Sequence, residues 1–384
     1  MAFRNDKMAL LKNPFLFIYS AIILFVSIYS LKKPAYNWDI LPYMGVILSY
    51  EKMDVKTIHD SVYSIAKNQI PSPFYNRMID PSNRYRNRVA QSPEAFHLQL
   101  PFYVVKPLYT GLGYLFYKAG ASLLIATILP SVISYFLISI LLFYWLQKYW
   151  PLLFAFAGSL LIMGSSPLLS VANLSSPDML SALLLFAAIY AIIERRSLAW
   201  TFLFLILGVF ARLDDIIPAI FFLTTLAFTK KWSPKIPVGK LSLPLTVMLL
   251  SYLAISFNAR SFGWSLFYYP SFVKQLNPSY DINNTFVFKD YIALAKSQLM
   301  TGLFFSFLSL FFFLVLLLLW DSPTFHFSTL TIEQTLGIVF VLIITIRFVL
   351  QPLISDRLYI PYYLSVIIFL IKKYASTTNT PIIL

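Results

Sequence analysis

PFLFIYSAIILFVSIYSL, residues 14–31, is an unbroken apolar run, and the polar segment KKPAYNWD, residues 32–39, follows it at once. The run is about as long as a transmembrane helix requires. The residues after Ser27 offer no small-x-small cleavage site, so an uncleaved first span is predicted. The chain then stays polar and aromatic as far as Gln99 instead of making a short turn. Such a stretch beside a membrane predicts a lid over a lipid-borne substrate.

The composition is that of an all-α polytopic membrane protein. Of 384 residues, 59% are hydrophobic and only 12% are charged, a balance that excludes a soluble domain. The formal net charge of +14 indicates anchoring at a cytoplasmic face rich in anionic lipid. Nucleic acid is excluded as a partner because the basic residues are scattered among apolar runs. The chain has no cysteine, which rules out disulfides and thiolate chemistry.

Apolar runs and the basic clusters between them predict about ten transmembrane helices with both termini inside. The predicted spans are residues 14–31, 121–147, 151–172, 177–194, the two arms of 198–229, 241–257, 299–320, 334–353 and 357–371. The apolar segment 101–119 is predicted to be an interfacial helix, since one more span there would place Arg195 and Arg196 outside.

This topology divides the chain into two parts. Residues 1–260 would form an N-terminal transmembrane catalytic module, with interfacial helices in the long first outer loop, 32–120. Residues 261–384 would add most of a second outer loop, 258–298, and three C-terminal spans. Long loops translocate regardless of their charge, so the many cations of the first loop do not conflict with an outer location.

Asp39 is the sharpest candidate for chemistry because it follows the first span directly. It would act as a general base that takes a proton from an attacking hydroxyl, or it would cap a helix or remain an ordinary interfacial charge. Ionisable groups near the hydrocarbon are costly and are usually kept for a site or for mutual pairing. The topology brings these further charged residues to the outer face: Asp178, Arg212, Asp214, Asp215 and Arg357. The acids among them would bind substrate or form a buried structural bridge with Arg212.

Basic side chains of the outer loops predict a phosphate-bearing ligand, because guanidinium groups bind phosphate through paired charge-assisted hydrogen bonds. The candidates for the phosphate are Arg357, Arg212, Lys106, Arg86 and Arg88, with Arg84 beside the last two. The three arginines of residues 84–88 would alternatively face lipid headgroups. Two loop histidines, His59 and His97, would shuttle protons, bind phosphate or do neither.

Short motifs mark the ends of the predicted spans. They are Asn37-Trp38-Asp39 after the first span, Lys106-Pro107-Leu108-Tyr109 before the second, Ser176-Pro177-Asp178 between the third and fourth, Phe210-Ala211-Arg212-Leu213-Asp214 at the hairpin, and Asp356-Arg357-Leu358-Tyr359 before the last. In this order they resemble the GT-C superfamily of integral-membrane glycosyltransferases, which includes aminoarabinose and mannosyl transferases that use polyprenyl-phosphate sugars. The resemblance covers residues 1–260 well and the remainder loosely.

The resemblance implies a glycosyltransferase with Asp39 as its catalytic base. Asp39 would deprotonate an acceptor hydroxyl for one inverting displacement at the anomeric carbon, and arginines would stabilise the departing polyprenyl phosphate. The donor would be a polyprenyl-phosphate-linked sugar and the acceptor a glycan, lipid or protein. The reaction would take place at the outer, periplasmic face of the plasma (bacterial inner) membrane. Many members carry paired acids where this chain has Asp39 alone, so no cofactor is certain and a divalent cation stays open.

Two other functions fit the same features. A transporter or flippase of lipid-linked saccharide would explain the embedded charges and predicts interrupted spans in matching positions. An envelope polysaccharide polymerase would also have large outer loops, but such enzymes usually rely on arginines in a later loop, where 258–298 has only Arg260. The chain lacks a P-loop, a Gly-rich dinucleotide motif and His-x-x-x-His, so the energy source would lie in the lipid phase.

Overall fold

The computed structural model describes residues 14–228, 238–259, 287–320 and 330–377. Within these ranges the chain is helical and contains no β-strand, which confirms the all-α class. One isolated parallel β-bridge pairs Ala35 with Leu174.

The helices are numbered here in chain order. They are α1 Pro14–Lys32, α2 Ile40–Ser49, α3 Val55–Gln69, α4 Ser72–Met78, α5 Arg84–Gln91, α6 Pro93–His97, α7 Pro101–Val104, α8 Pro107–Lys118, α9 Leu123–Leu146, α10 Leu152–Met163, α11 Ser166–Ala172, α12 Asp178–Tyr190, α13 Leu198–Ala211, α14 Ile216–Phe228, α15 Val238–Asn258, α16 Phe288–Phe305, α17 Leu308–Leu319, α18 Ile332–Leu350 and α19 Ile360–Thr377. A π-helical turn, Ala191–Arg195, extends α12, and 3₁₀ turns cover Leu213–Asp215 and Asp356–Leu358.

Several of these helices have the length and apolarity of membrane spans. Four helices, α1, α9, α15 and α18, are each long and apolar enough to cross a membrane. The number of spans rises to six if each of two bent helix pairs counts as one span. The described part of the chain is therefore that of a multi-pass membrane protein. About ten spans stays a prediction, because α12, α13 and α14 are apolar but shorter than the ~20 residues of a full crossing.

Two predicted spans are broken. The stretch 151–172 bends by 64° between α10 and α11, where Gly164 ends one helix and Pro167 stands in the first turn of the next. The stretch 299–320 lies in a second pair, α16 and α17, which bends by 71°. α16 begins at Phe288, so the last part of the predicted outer loop, up to residue 298, is helical. Residues 260–286 of that loop lie outside the described residues.

The core is built around α9, which packs against α1, α8 and α12. α1 covers one side of this bundle and leaves Phe17 and Phe25 more than two-thirds exposed, as a lipid-facing helix would. The helices of the first loop, α2 to α8, bury a second apolar cluster around Val62 and Phe96. The first loop is therefore a packed helical layer, with α7 and α8 in the segment predicted to be interfacial.

A short non-helical segment, residues 33–37, ties this helical layer to the bundle, and we call it the strap. The Ala35 amide donates to the Asn173 carbonyl (3.1 Å), and Asn173 Nδ2 donates to the Lys33 carbonyl (3.1 Å). The strap thus fixes the connection between α1 and α2 against the turn that precedes α12. As a result, Asp39, the last residue of that connection, and Asp178, the first residue of α12, lie at the same end of the molecule.

Basic residues gather at the opposite end of α12. Glu194 accepts hydrogen bonds from Trp145 Nε1 (2.9 Å), Tyr149 Oη (2.5 Å) and Lys148 Nζ (3.1 Å). Lys372 of α19 lies 3.9 Å from the same carboxylate. The ends of α9, α12 and α19 are therefore held together by one nearly buried acid.

Candidate functional site

Asp39 stands at the N-cap position of α2, yet its carboxylate does not bond the amides of that helix. Its Oδ1 accepts a hydrogen bond from Tyr103 Oη (2.8 Å), and its Oδ2 accepts one from Asn37 Nδ2 (3.1 Å). A capping aspartate would accept from the second or third helical amide. Helix capping therefore does not account for this acid, and its carboxylate is held by Tyr103 and Asn37 instead.

Lys106 lies beside Asp39 and against the rings of two tyrosines. Its ammonium is 4.7 Å from the ring centroid of Tyr103 and 5.4 Å from that of Tyr43, and it donates to the Phe102 carbonyl (3.1 Å). Burial lowers the pKa of Lys106 to about 8, although Asp39 attracts the proton. The lysine is a weakly solvated cation next to the candidate base.

The remaining acids of this end are paired with arginines. Arg212 donates to Asp214 through Nε (3.0 Å) and Nη2 (2.8 Å) and to Asp178 through Nη1. Burial alone would raise the pKa of Asp214, but Arg212 and Arg347 hold that pKa below its usual range. The predicted bridge between Arg212 and Asp214 is present, and the contact with Asp178 joins the hairpin turn to the start of α12.

Arg347, on α18, is the residue of this network that sequence reasoning missed. Its Nη2 donates to Asp214 Oδ2 (2.7 Å) and Asp215 Oδ1 (2.9 Å), and its side chain is almost fully buried. Asp215 is completely buried and also accepts from Ser181 Oγ (2.5 Å). An arginine inside an apolar span is by itself a sign of a partner or a site, and that signal was available in the sequence.

Arg357 is the most exposed arginine of the group, with 35% of its side chain accessible against 11% for Arg212 and 6% for Arg347. Its Nε lies 3.4 Å from Asp178 Oδ2 and has no hydrogen-bond partner. Arg357 is therefore close to Asp178, but its Nε does not form a hydrogen bond with that carboxylate. We call the following residues the aspartate–arginine cluster: Asp39, Tyr103, Lys106, Asp178, Arg212, Asp214, Asp215, Arg347 and Arg357.

Other candidates from the first loop have different surroundings. His59 is buried, with Nδ1 2.9 Å from Asp60 Oδ1 and Nε2 3.1 Å from the Ala90 carbonyl, so it packs within the loop layer. Arg86 donates to the Arg77 carbonyl (2.7 Å) near the end of α4. Arg88 and His97 are exposed on α5 and α6. None of these contacts involves the cluster.

One residue of α5 does reach the surroundings of the cluster. The ring of Tyr85 lies 5.5 Å from that of Trp38, the neighbour of Asp39. For metal binding, a group of three or more His, Asp or Glu side chains close enough to hold an ion is absent from the part of the chain that the structure describes.

An apolar groove of about 560 Å³ lies next to the cluster. Val104 and Pro107 flank Lys106 in sequence, and Phe210 stands two residues before Arg212, so one side of the groove lies close to these cations. The groove is bordered by Tyr50, which directly follows α2, and by residues of α7, α8, α13 and α15: Val104, Pro107, Phe210, Leu250 and Ile255. The arrangement suits a ligand with an anionic head and an apolar chain.

Comparison with protein-family models, with curated protein sequences and with solved structures found no match. The resemblance to GT-C enzymes therefore stays an expectation. The function has to be inferred from the chemistry of the cluster and of the groove beside it.

Proposed function

We propose that the chain is a GT-C-type membrane glycosyltransferase. It moves a sugar from a polyprenyl-phosphate donor to a hydroxyl of a lipid-linked glycan, an envelope polysaccharide or a protein at the outer face of the plasma membrane. The observation that supports this most is the Asp39 carboxylate, which makes no hydrogen bond to the helix it precedes and lies beside Lys106. A base and a cation at the edge of an apolar groove are what transfer from a lipid phosphate requires.

In the proposed reaction Asp39 accepts the proton of the acceptor hydroxyl. The acceptor oxygen forms a bond to the anomeric carbon while the bond from that carbon to the phosphate oxygen breaks. The electron pair leaves with the polyprenyl phosphate, and the configuration at the anomeric carbon inverts. The hydrogen bonds from Tyr103 and Asn37 keep the carboxylate in one orientation for this transfer.

Negative charge grows on the phosphate as the sugar leaves. Lys106 and Arg357 are the cations of the cluster best able to receive it, because Lys106 rests on aromatic rings and Arg357 is only loosely paired with Asp178. Arg212 and Arg347 are engaged with three acids. In this proposal they hold the site in shape, and Arg212 contacts the phosphate less than Lys106 and Arg357 do.

The test is to replace the candidate base and a matched acid of the same loop. Asp39→Asn should lower the release of polyprenyl phosphate from a panel of polyprenyl-phosphate hexoses and pentoses by about 10²–10⁴-fold, the usual contribution of a general base. Asp54→Asn is the control, because Asp54 caps α3 through the Thr57 amide (3.0 Å) and asparagine caps equally well. Full turnover by Asp39→Asn would rule out this role.

A transporter of lipid-linked saccharide is the second candidate, and the two broken helices favour it. α11 packs against the turn Asp356–Leu358, and the Phe307 amide, at the break between α16 and α17, donates to Asp356 Oδ1 (3.0 Å). Broken spans that meet at a charged site are a feature of transporters. In proteoliposomes a transporter would move the intact lipid-linked sugar across the bilayer and release no polyprenyl phosphate, whereas the transferase would release it.

A further inference from the structure

Unsatisfied polar atoms surround the strap that joins the loop layer to the bundle. Buried polar atoms in proteins nearly always have a hydrogen-bond partner, so several exceptions in one place point to a ligand. Each of these four atoms is buried and has no hydrogen-bond partner: Asn37 Oδ1, Trp38 Nε1, Asn173 Oδ1 and Arg357 Nε.

The fold explains why these atoms come together. The bridge between Ala35 and Leu174 brings Asn37 and Trp38, which follow Ala35 in the chain, close to Asn173, which precedes Leu174. The other end of the Asn37 amide is held on Asp39, and Arg357 Nε lies 3.4 Å from Asp178. The unsatisfied atoms therefore flank the two aspartates of the cluster.

Their chemistry distinguishes between ligand classes. Trp38 Nε1 and Arg357 Nε can only donate, whereas the side-chain oxygens of Asn37 and Asn173 can only accept. A phosphate has acceptor oxygens and would leave both asparagine oxygens unsatisfied, and a prenyl chain would satisfy none of the four atoms. Sugar hydroxyls both donate and accept, so a sugar ring can satisfy the whole set.

We propose that these atoms form a saccharide subsite that binds the hydroxyls of the donor's sugar, a proposal that rests on the glycosyltransferase function above. The sugar lies between the strap and the turn before α12, with its anomeric carbon toward Asp39 and its phosphate toward Lys106. Trp38 is then a specificity-determining residue, because its indole nitrogen donates to one hydroxyl. A buried site built to bond a hydroxyl strongly rejects an analogue that lacks it.

The experiment compares binding of two lipids to the purified full-length protein. The probes are decaprenyl phosphate alone and decaprenyl phosphate bearing glucose, mannose or arabinose. For the wild type, at least one sugar-bearing lipid should bind more tightly than decaprenyl phosphate. Trp38→Phe keeps the aromatic contact with Tyr85 and removes the N–H donor, and we expect it to weaken binding of that sugar-bearing lipid by about tenfold while leaving decaprenyl phosphate unaffected.

Two further variants make the comparison decisive. Asn173→Ala removes a second of the unsatisfied atoms, together with the bond from Asn173 Nδ2 to the Lys33 carbonyl, and should show the same selective loss, which keeps the test open if Trp38→Phe does not fold. Trp200→Phe is the matched control, since Trp200 is exposed on α13. It should change neither affinity.

The outcomes separate the subsite from the function on which it rests. If decaprenyl phosphate binds and no sugar improves its affinity, the subsite is wrong and the phosphate site stands. Equal losses for both lipids in Trp38→Phe and Asn173→Ala would also overturn the subsite. If the wild type binds neither kind of lipid, the glycosyltransferase proposal itself fails.

Discussion

Asp39 shows how far a single residue can be understood from its place in the sequence. An acid directly after the first span was expected either to cap a helix or to act as a base, and nothing local decides between the two. In the structure the carboxylate accepts a hydrogen bond from Tyr103, a residue of α7, and makes none to the amides of α2. That contact depends on how the first loop folds back, so no local pattern around residue 39 could have indicated it.

Lys106 gives a prediction that depends on pH. Burial lowers its pKa to about 8 in the ligand-free protein, and a bound phosphate favours the charged form and raises that pKa. Lys106 is therefore protonated below about pH 8 and loses its charge as the pH rises through that value. We expect the affinity for decaprenyl phosphate to fall by about tenfold between pH 7 and pH 9. Equilibrium binding measured across this range checks it.

Lys106→Arg is the control for the pH prediction. Arginine stays charged throughout the range, so this variant should bind decaprenyl phosphate with an affinity that no longer falls above pH 8. A wild-type affinity that stays flat from pH 7 to pH 9 would show that Lys106 does not meet the phosphate. An equal fall in Lys106→Arg would assign the effect to another group.

At the scale of elements, Arg347 connects α18 to the turn between α13 and α14. It is the main cationic partner of the fully buried Asp215 and a second partner of Asp214. Removing one member of a buried ion pair leaves an uncompensated charge, which costs about 3–5 kcal/mol. Arg347→Met should lower the free energy of unfolding by about this amount, measured by denaturation in detergent micelles.

A double variant and a control make the Arg347 prediction specific. Asp215→Asn combined with Arg347→Met removes both charges and should recover a large part of the lost stability, which a double-mutant cycle reports as coupling. Thr345→Ala is the control on the same helix, because Thr345 is exposed and bonds only the Val341 carbonyl. Losses in the double variant equal to the sum of its single losses would show that the two residues do not interact.

Helices with long apolar runs were predictable from the sequence, whereas only one of the two helix breaks was. The helices at 14–31 and 121–147 appear within two residues of the predicted bounds. Gly164 and Pro167 were visible signals for the break between α10 and α11. The break near Phe307 has no proline, and its exposed amide is capped by Asp356, far along the chain. Long-range capping of that kind cannot be found by reading a window of sequence.

At the scale of the whole molecule, the two ends differ in charge and chemistry. α12 begins at Asp178 in the aspartate–arginine cluster, and its π-helical extension ends with Glu194 and Arg195. A helical segment of that length rises about 27 Å, close to the thickness of the hydrocarbon core. Lys148, which follows α9, and Lys372, in α19, both approach Glu194 at this basic end. The pairing with a buried glutamate was not predictable from charge counting.

The absence of native cysteine makes the orientation of the chain directly measurable, since each introduced cysteine is the only thiol. Lys56→Cys places a thiol on the exposed side of α3 in the loop layer, and Ala199→Cys places one in the exposed first turn of α13, beside the basic end. We expect a membrane-impermeant maleimide to label Lys56→Cys in intact spheroplasts and to label Ala199→Cys only after permeabilisation. The unlabelled wild type is the control.

Reversed labelling would put the cluster on the cytoplasmic side and contradict an outer active site. Labelling of both thiols from one side would show that α12 does not cross the membrane, because the cluster and the basic end would then share a compartment.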